Sequence, residues 1–369
     1  MQAHGGIEAL HAVHRALPLA QSFVALFDRT PEARPDYQNL NFNWRTTLGQ
    51  MRREFAQAMR RHAGSVVIYH NGWGLPRLCG QDAALRRIIY CHADPGYLAR
   101  EIRASAGRVD GALGVTPALV PAWIAALPAL AETRRRILPL PVLAPAGIVR
   151  RLNSDGEIVL GYAGRIEREQ KRLDRLPELL RALDATGVRY RFELLGDGSL
   201  RAQLENRFSG RVKFHGWLQG ADYWRVLAGW DAMIFFSDYE GSPIAMLEAM
   251  TLGVIPFFPR IGGTMGDVYA PDVDRRCHYP AGEMAALAAS IKTVFAEPEA
   301  NQRALRMKAQ ALVANHSVAR YGESLIEFLA QTRSQPRIST DDQVVRWHWS
   351  DALPLGLIAR VAPHLLLRR

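Results

Sequence analysis

The chain is 369 residues long, 48% apolar and 22% charged, with a formal net charge of +10 at pH 7. That length exceeds what a single core usually fills, so two domains are expected, and the composition excludes a disordered, collagen-like or disulfide-built chain. Nearly all the basic residues are arginine, the only lysines being Lys171, Lys213, Lys292 and Lys308. No zinc-finger spacing or aromatic–basic interleaving accompanies them, so the charge alone is no nucleic-acid signature and no nucleic-acid partner is expected. Cys79, Cys91 and Cys277 are too few and too scattered for a disulfide framework or a metal cluster, and fit a reducing cytoplasm. No signal peptide is visible.

Short apolar runs at Ser22–Phe27, Ser65–Tyr69, Arg87–Cys91, Gly111–Val115 and Arg136–Leu140 read as strands of a doubly wound parallel sheet. Helical periodicity lies between them at Trp44–His62 and Pro121–Arg135. The stretch Gly111–Ala131 has no charged residue and raises the question of a membrane span. Pro117, Pro121 and Pro128 break it, and a buried strand–loop–helix is the better reading. A proline-rich segment, Leu138–Gly147, reads as an interdomain linker.

A second series of strands follows at Ile158–Ala163, Tyr190–Leu195, Val212–Phe214, Asp231–Phe236 and Val254–Phe258. Its helices are expected at Leu173–Ala185, Leu200–Phe208, Tyr223–Leu227, Pro243–Leu252 and Met284–Ala296, with closing helices at Ala304–Asn315 and Tyr321–Gln331. The expected architecture is α/β: two Rossmann-like domains facing a central cleft, residues 1–145 and 146–318, a closing helix over 319–333 and a tail over 334–369. In the tail, Trp347, Trp349 and the apolar residues of 353–367 lie among a few arginines, Arg346, Arg360, Arg368 and Arg369. It either packs back on the first domain or touches the inner face of the plasma membrane through 344–369.

The most informative segment is Glu240-Gly-Ser-Pro-Ile-Ala-Met-Leu-Glu248, after the strand Asp231–Phe236. Ser242 is the expected N-cap and Pro243 the first helical residue, which leaves the N–H groups of Ile244 and Ala245 free for a phosphate. Glu240 in the loop and Glu248 inside the helix can then reach sugar hydroxyls on either side of a diphosphate, although acidic residues near a helix start can also be merely stabilising. Arg165 and Lys171 follow the strand Ile158–Ala163 at its C-terminal end, where such sheets bind ligands; they either grip a diphosphate or are solvated surface cations. Gly196 and Gly198 mark a tight turn, but Arg201 stands where a dinucleotide fingerprint needs a third small residue. The loop Gly216–Leu218 can line a base, with His215 a surface residue by default. Gly5-Gly6 lets the backbone approach a ligand or is a flexible end. His92 and Asp94, at the end of the strand Arg87–Cys91, either orient an acceptor or are structural.

Together, Gly5-Gly6-Ile-Glu8, the Gly-Arg…Lys element at 164–171, Phe214-His-Gly216, the Glu240/Glu248 pair and Gly253-Val-Ile-Pro256 resemble the family 4 retaining glycosyltransferases of GT-B fold. The resemblance runs from about Gly5 to Leu329 and is strongest over Gly161–Gly263. It implies a GT-B enzyme whose C-terminal helices return to the N-terminal domain, and retaining, metal-independent transfer from a nucleotide-diphosphate sugar without other cofactor. By the same resemblance, Arg165 and Lys171 bind the diphosphate, Glu240 the donor sugar and Glu248 the ribose. Gly6, Ile244 and Ala245 offer backbone groups, Gly196, Gly216 and Leu218 flank the base, and His92 lies near the sugar and acceptor. The implied acceptor is a glycan or lipid-linked precursor in surface polysaccharide or lipopolysaccharide synthesis.

Three departures stand out. Ser242-Pro243 replaces the usual Phe-Gly, the linker lacks the frequent Asn-Gly-Val-Asp, and the family's first strand is missing ahead of Gly5-Gly6. That last departure predicts a gap at the centre of the N-terminal sheet, with its unpaired backbone groups. A sugar-nucleotide epimerase of the same fold and a catalytically disabled nucleotide-sugar binding protein are the alternatives; a nicotinamide dehydrogenase is disfavoured by Arg201.

Overall fold

The computed structural model describes residue 10 and residues 12–26, 35–71, 85–92, 95–150, 156–261, 269 and 271–338. The chain divides into two compact units, one of Met1–Pro139 with Val318–Arg369, the other of Leu140–Ser317.

In the first unit, β1 (Phe23–Ala25) and β2 (Tyr37–Asn39) pair in parallel as a two-stranded ribbon. Helix α1 (Leu48–Met59) starts at Thr47, whose hydroxyl accepts from the Gln50 N–H while the Gln50 side chain accepts from the Thr47 N–H. This capping box fixes the start four residues after Trp44, where periodicity alone predicts it. Four parallel strands follow: β3 (Val66–His70), β4 (Arg86–Cys91), β5 (Gly111–Gly114) and β6 (Arg135–Ile137), paired in that order. Helices α2 (Pro95–Ala104) and α3 (Val120–Ala126) lie between them. Within the described residues the strands of this unit form two separate sheets, the β1–β2 ribbon and the continuous sheet β3–β6, and the residues ahead of position 10, on which the expected central gap turns, lie outside the described ones. The charge-free stretch forms β5, a 3-10 turn capped by Thr116, and α3. Among the described residues no helix is long and apolar enough to cross a membrane.

The second unit carries six parallel strands: β7 (Ile158–Ala163), β8 (Tyr190–Leu195), β9 (Val212–Gly216), β10 (Ala232–Ile234), β11 (Ile255–Arg260) and β12 (His278–Pro280). Their order is β12-β11-β10-β7-β8-β9. The chain runs outward from β7 in one direction, then returns to build β10 on the other side. β7 and β10, neighbours in the sheet, are therefore the point where the strand order reverses, the place at which open α/β sheets take ligands. Helices α4 (Leu176–Thr186), α5 (Arg201–Phe208), α6 (Gly220–Leu227), α7 (Ile244–Thr251), α8 (Met284–Phe295) and α9 (Glu299–Val313) belong to this unit. Leu179, Leu180 and Leu183 bury one face of α4, and Gly187, at φ +74, ends it in the left-handed conformation. The proline-rich segment is tied down inside this unit: Val142 N–H donates to His316 O at 2.8 Å, and His316 Nδ1 lies 2.8 Å from Leu140 O.

The last described helix, α10 (Val318–Ser334), belongs to the first unit. Phe328 lies so close to Gly111 of β5 that a Cβ there would meet its ring at 3.0 Å. Arg136 of β6 donates to Ser324 O and to Glu327. The tail expected to pack back or to touch a membrane lies outside the described residues from 339 onward.

Candidate active site

Three loops meet at the C-terminal ends of β7, β8 and β9, and backbone hydrogen bonds join them. Gly164 N–H donates to Leu195 O at 3.0 Å, Ile166 N–H to Asp197 O at 2.8 Å, and Gly196 N–H to Gly216 O at 2.8 Å. Glycine is required for this approach. A Cβ on Gly196, at φ +138, would stand 1.9 Å from Gly164 O, and one on Gly198 2.4 Å from Ile166 O. The pair thus closes loop on loop, with the Gly196 N–H engaged by Gly216 O. Gly216, at φ +72, is buried beside the Arg201 guanidinium. Leu218 is half-buried against the core.

His215 departs from the expected surface position. Its Nε2 lies 2.8 Å from Glu193 Oε2, and Trp230 Nε1–H donates to the same oxygen at 3.1 Å. Burial raises the Glu193 carboxyl, but the His215 and Trp230 hydrogen bonds overcome it and bring it down to about 2. Sequence could not show this trio, because it joins β8, β9 and the segment ahead of β10.

The charged residues cluster where the β7 and β10 loops face each other. Lys171 Nζ donates to Glu240 Oε1 at 2.5 Å, and Ser237 Oγ–H donates to the same oxygen at 2.6 Å. Glu240 is buried at 4% exposure, and the Lys171 side chain is 16% exposed. Gln170 Nε2 donates to Tyr239 O at 3.1 Å and reaches Glu240 Oε2 only at 3.5 Å. Arg165 donates to Glu167 at 2.8 Å and to Gln170 Oε1 at 2.6 Å. Below them, Arg172 (φ +52) and Arg175 both hold Asp238, and Asp238 N–H donates to Gln170 O. One oxygen of a buried carboxylate is therefore pinned by a cation and a hydroxyl, and the other is only weakly held. Gln170, Ser237 and Asp238 were not singled out by motif reasoning; their flanking positions beside Lys171 and Glu240 were the available signal.

Helix α7 begins one residue later than expected. Pro243 occupies the cap position with ψ 100, no side chain caps the helix, and Ser242 Oγ is buried without a partner among the described residues. The Pro243 carbonyl accepts from Met246 N–H at 2.9 Å and so closes the first turn. The N–H groups of Ile244 and Ala245 have no acceptor among the described residues. Glu248, half-buried, accepts from Tyr223 O–H of α6 at 2.5 Å. Burial raises its carboxyl to about 7, with the Tyr223 hydrogen bond acting in the opposite sense.

In the first unit, His92 follows β4 and lies in a cluster at the ends of β3 and β4. His70 Nδ1 is 2.7 Å from His92 Nε2, the two rings are stacked with 5.0 Å between centroids, and Tyr90 lies 4.1 Å from His92. Asn71, in the left-handed region at φ +56, accepts from His92 N–H at 2.7 Å. Burial, then the charge of His14, lowers His92 to about 3. His70, one residue past the run Ser65–Tyr69, escaped the strand-end reading given to His92. Gly5, Gly6 and Asp94 lie outside the described residues. Among the described residues no group of three or more His, Cys, Asp or Glu is placed to hold a metal ion.

The model of the glycosyl transferases group 1 family matches residues 148–332. The chain belongs to that family. A curated relative, the Vi polysaccharide biosynthesis protein VipC/TviE of Salmonella typhi, is 31% identical over 106 residues, 24% of this chain and 18% of the relative. This chain therefore spans under a fifth of that protein's length. The lipopolysaccharide outer core galactosyltransferase WaaB superposes with a TM-score of 0.64 at 16% identity, over 89% of this chain and 96% of that one. Alr3699/HepE of Anabaena, solved with UDP and glucose, superposes with a TM-score of 0.62 at 18% identity, over 82% and 85%. These likenesses show the fold: a GT-B arrangement of two Rossmann-like domains.

The arrangement around β7 and β10 is a set of groups suited to anions and hydroxyls. It has cations, outward N–H groups and a buried carboxylate able to accept from hydroxyls. The second unit, with β7, β10 and α7, lies almost wholly within the matched residues.

Proposed function

We propose that this glycosyltransferase moves a sugar, with retention of configuration and without a bound metal, from a nucleotide-diphosphate sugar to a glycan or lipid-linked acceptor of surface polysaccharide or lipopolysaccharide synthesis. The observation that carries the reading is the Lys171–Glu240–Ser237 contact at the switch point, beside the open N–H groups of Ile244 and Ala245. Lys171 and Arg165 neutralise the diphosphate as its bond to the sugar breaks, and the Ile244 and Ala245 N–H groups add to them. These groups take the part that a metal plays elsewhere. Glu240 accepts from donor-sugar hydroxyls through its weakly held oxygen. Glu248 gives up its proton to solvent and, as a carboxylate, accepts from a ribose hydroxyl. Gly196, Gly216 and Leu218 flank the base, Gly6 offers backbone near the phosphates, and His92 meets a hydroxyl of sugar or acceptor. With both site glutamates assigned to hydroxyl groups, attack is on the face from which the nucleotide leaves. The names of VipC/TviE and WaaB support the polysaccharide setting, and the UDP and glucose held by HepE support the donor class.

A thermal-shift panel of UDP-, GDP- and ADP-sugars tests the donor. One base is expected to stabilise the protein, and Arg165→Gln to abolish the shift. No shift with any member, from folded protein, overturns the reading. Donor hydrolysis unchanged by EDTA, and a product of unchanged anomeric configuration by NMR, test metal independence and retention. Hydrolysis also excludes the disabled binding protein, and its absence together with C2 inversion would turn the reading to an epimerase. We place the enzyme in the cytoplasm with residues 344–369 on the membrane face; liposome flotation unchanged on removing 334–369 refutes that contact.

A further inference from the structure

His70 ends β3 and His92 follows β4, the strand beside it, with His70 in register beside Tyr90. Their facing nitrogens are 2.7 Å apart, which requires one proton between them, since two lone pairs or two N–H groups would repel. The nitrogen that carries the proton in one ring sets the tautomer of the other. His92 is held on three sides. Its main-chain N–H is fixed by Asn71, its ring lies against Tyr90, and its Nε2 is fixed by His70. Its Nδ1 is then the nitrogen left for a ligand.

The surroundings decide the direction. His92 is half-buried, and burial keeps its ring uncharged, whereas His70 is exposed, so water can donate to its outer Nε2 when its Nδ1 carries the shared proton. His14 meets the His70 ring edge-on at 6.3 Å, and its own Nε2 is 2.8 Å from Tyr321 O–H of α10. His70 is thus braced from behind.

We propose that His70 is a positioning residue: its Nδ1–H donates to His92 Nε2 and holds His92 as the Nδ1–H tautomer, a donor aimed at an oxygen of the sugar or acceptor. This assignment rests on the transferase reading for the ligand, but not for the tautomer. The reverse proton placement would make His92 Nδ1 an acceptor, and so a base.

The test uses the full chain labelled with 15N-histidine, with His92 assigned by the signals missing in His92→Gln. In the wild type, His92 is expected to show a protonated Nδ1 and an unprotonated Nε2. His70→Asn keeps a donor near the same place and should preserve that signature. His70→Leu should give mixed tautomers, and His70→Asp, an acceptor, should move the proton to Nε2. A wild-type Nε2–H, or a His92 signature unchanged in His70→Leu, overturns the proposal. Should His70→Leu fail to fold, the wild-type and His70→Asn spectra decide alone. With UDP-, GDP- and ADP-glucose as probes, His70→Leu is expected to lower the hydrolysis kcat ~10-fold with donor KM within ~2-fold, and His70→Asn to recover most of it. Equal loss in Asn and Leu variants overturns the donor role. If the wild type hydrolyses none of these donors, the transferase reading fails while the spectra still judge the tautomer.

Discussion

Replacing Lys171 by methionine should separate the structural from the chemical use of the central ion pair. Lys171 is 16% and Glu240 5% exposed at the side chain, with 2.5 Å between Nζ and Oε1. Removing the cation leaves a buried carboxylate with only Ser237 Oγ–H at hydrogen-bond distance and Gln170 at 3.5 Å. Breaking a buried pair from one side costs about 3–5 kcal/mol, mostly the desolvated charge left behind. For a unit of this size that is a fall in Tm of about 6–20 °C. Removing the charge as well, in Lys171→Met with Glu240→Gln, should restore most of the loss, because an amide tolerates the site without a cation. Donor binding should not return with it, since both ligand contacts are gone. Differential scanning calorimetry of wild type, both single variants and the double variant closes the cycle. A Lys171→Met protein within about 1 °C of wild type, or a double variant no more stable than Lys171→Met, would refute the reasoning.

Glu193, at about 2 against an ordinary 4.5, adds stability above pH 4.5 that is lost as pH falls towards 2. From pH 5.5 to 3.5 wild type should lose about 1.4 kcal/mol more than Glu193→Gln, read as converging Tm values; parallel curves would count against it. Glu248, at about 7, works in the opposite direction, its burial costing stability as pH rises from 4.5 through 7. Glu248→Gln should therefore be more stable than wild type at pH 8 by about 2 kcal/mol, allowing for its half-buried position, and match it near pH 4.5. The same variant should bind nucleotide sugar more weakly by calorimetric titration, and unchanged affinity would remove Glu248 from the ribose. Gly196→Ala must move backbone, since its Cβ would lie 1.9 Å from Gly164 O, and should cost about 3 kcal/mol in urea unfolding; a loss under about 0.5 kcal/mol would contradict the geometry.

The second unit was largely legible from residue order. Apolar runs flanked by turns place β7 to β11, because a strand buried on both faces needs little but branched and aromatic residues. The loop positions of Arg165, Lys171 and Glu240 follow from strand ends. Short β2 and β12 escaped, since three residues make no period. The one-residue error at Pro243 arose because residue preference cannot tell a cap from a first turn.

What sequence alone determined is a set of residue types at strand ends: Arg165 and Lys171 after β7, and Glu240 and Glu248 after β10, chemistry suited to phosphate and hydroxyl groups. Only the tertiary structure decided which of these groups touch. Lys171 meets Glu240 across 69 positions because β10 returns to the side of β7, and His70 meets His92 because β3 and β4 are neighbours. Strand order is set by long-range packing and backbone pairing, which leave no local periodicity to read.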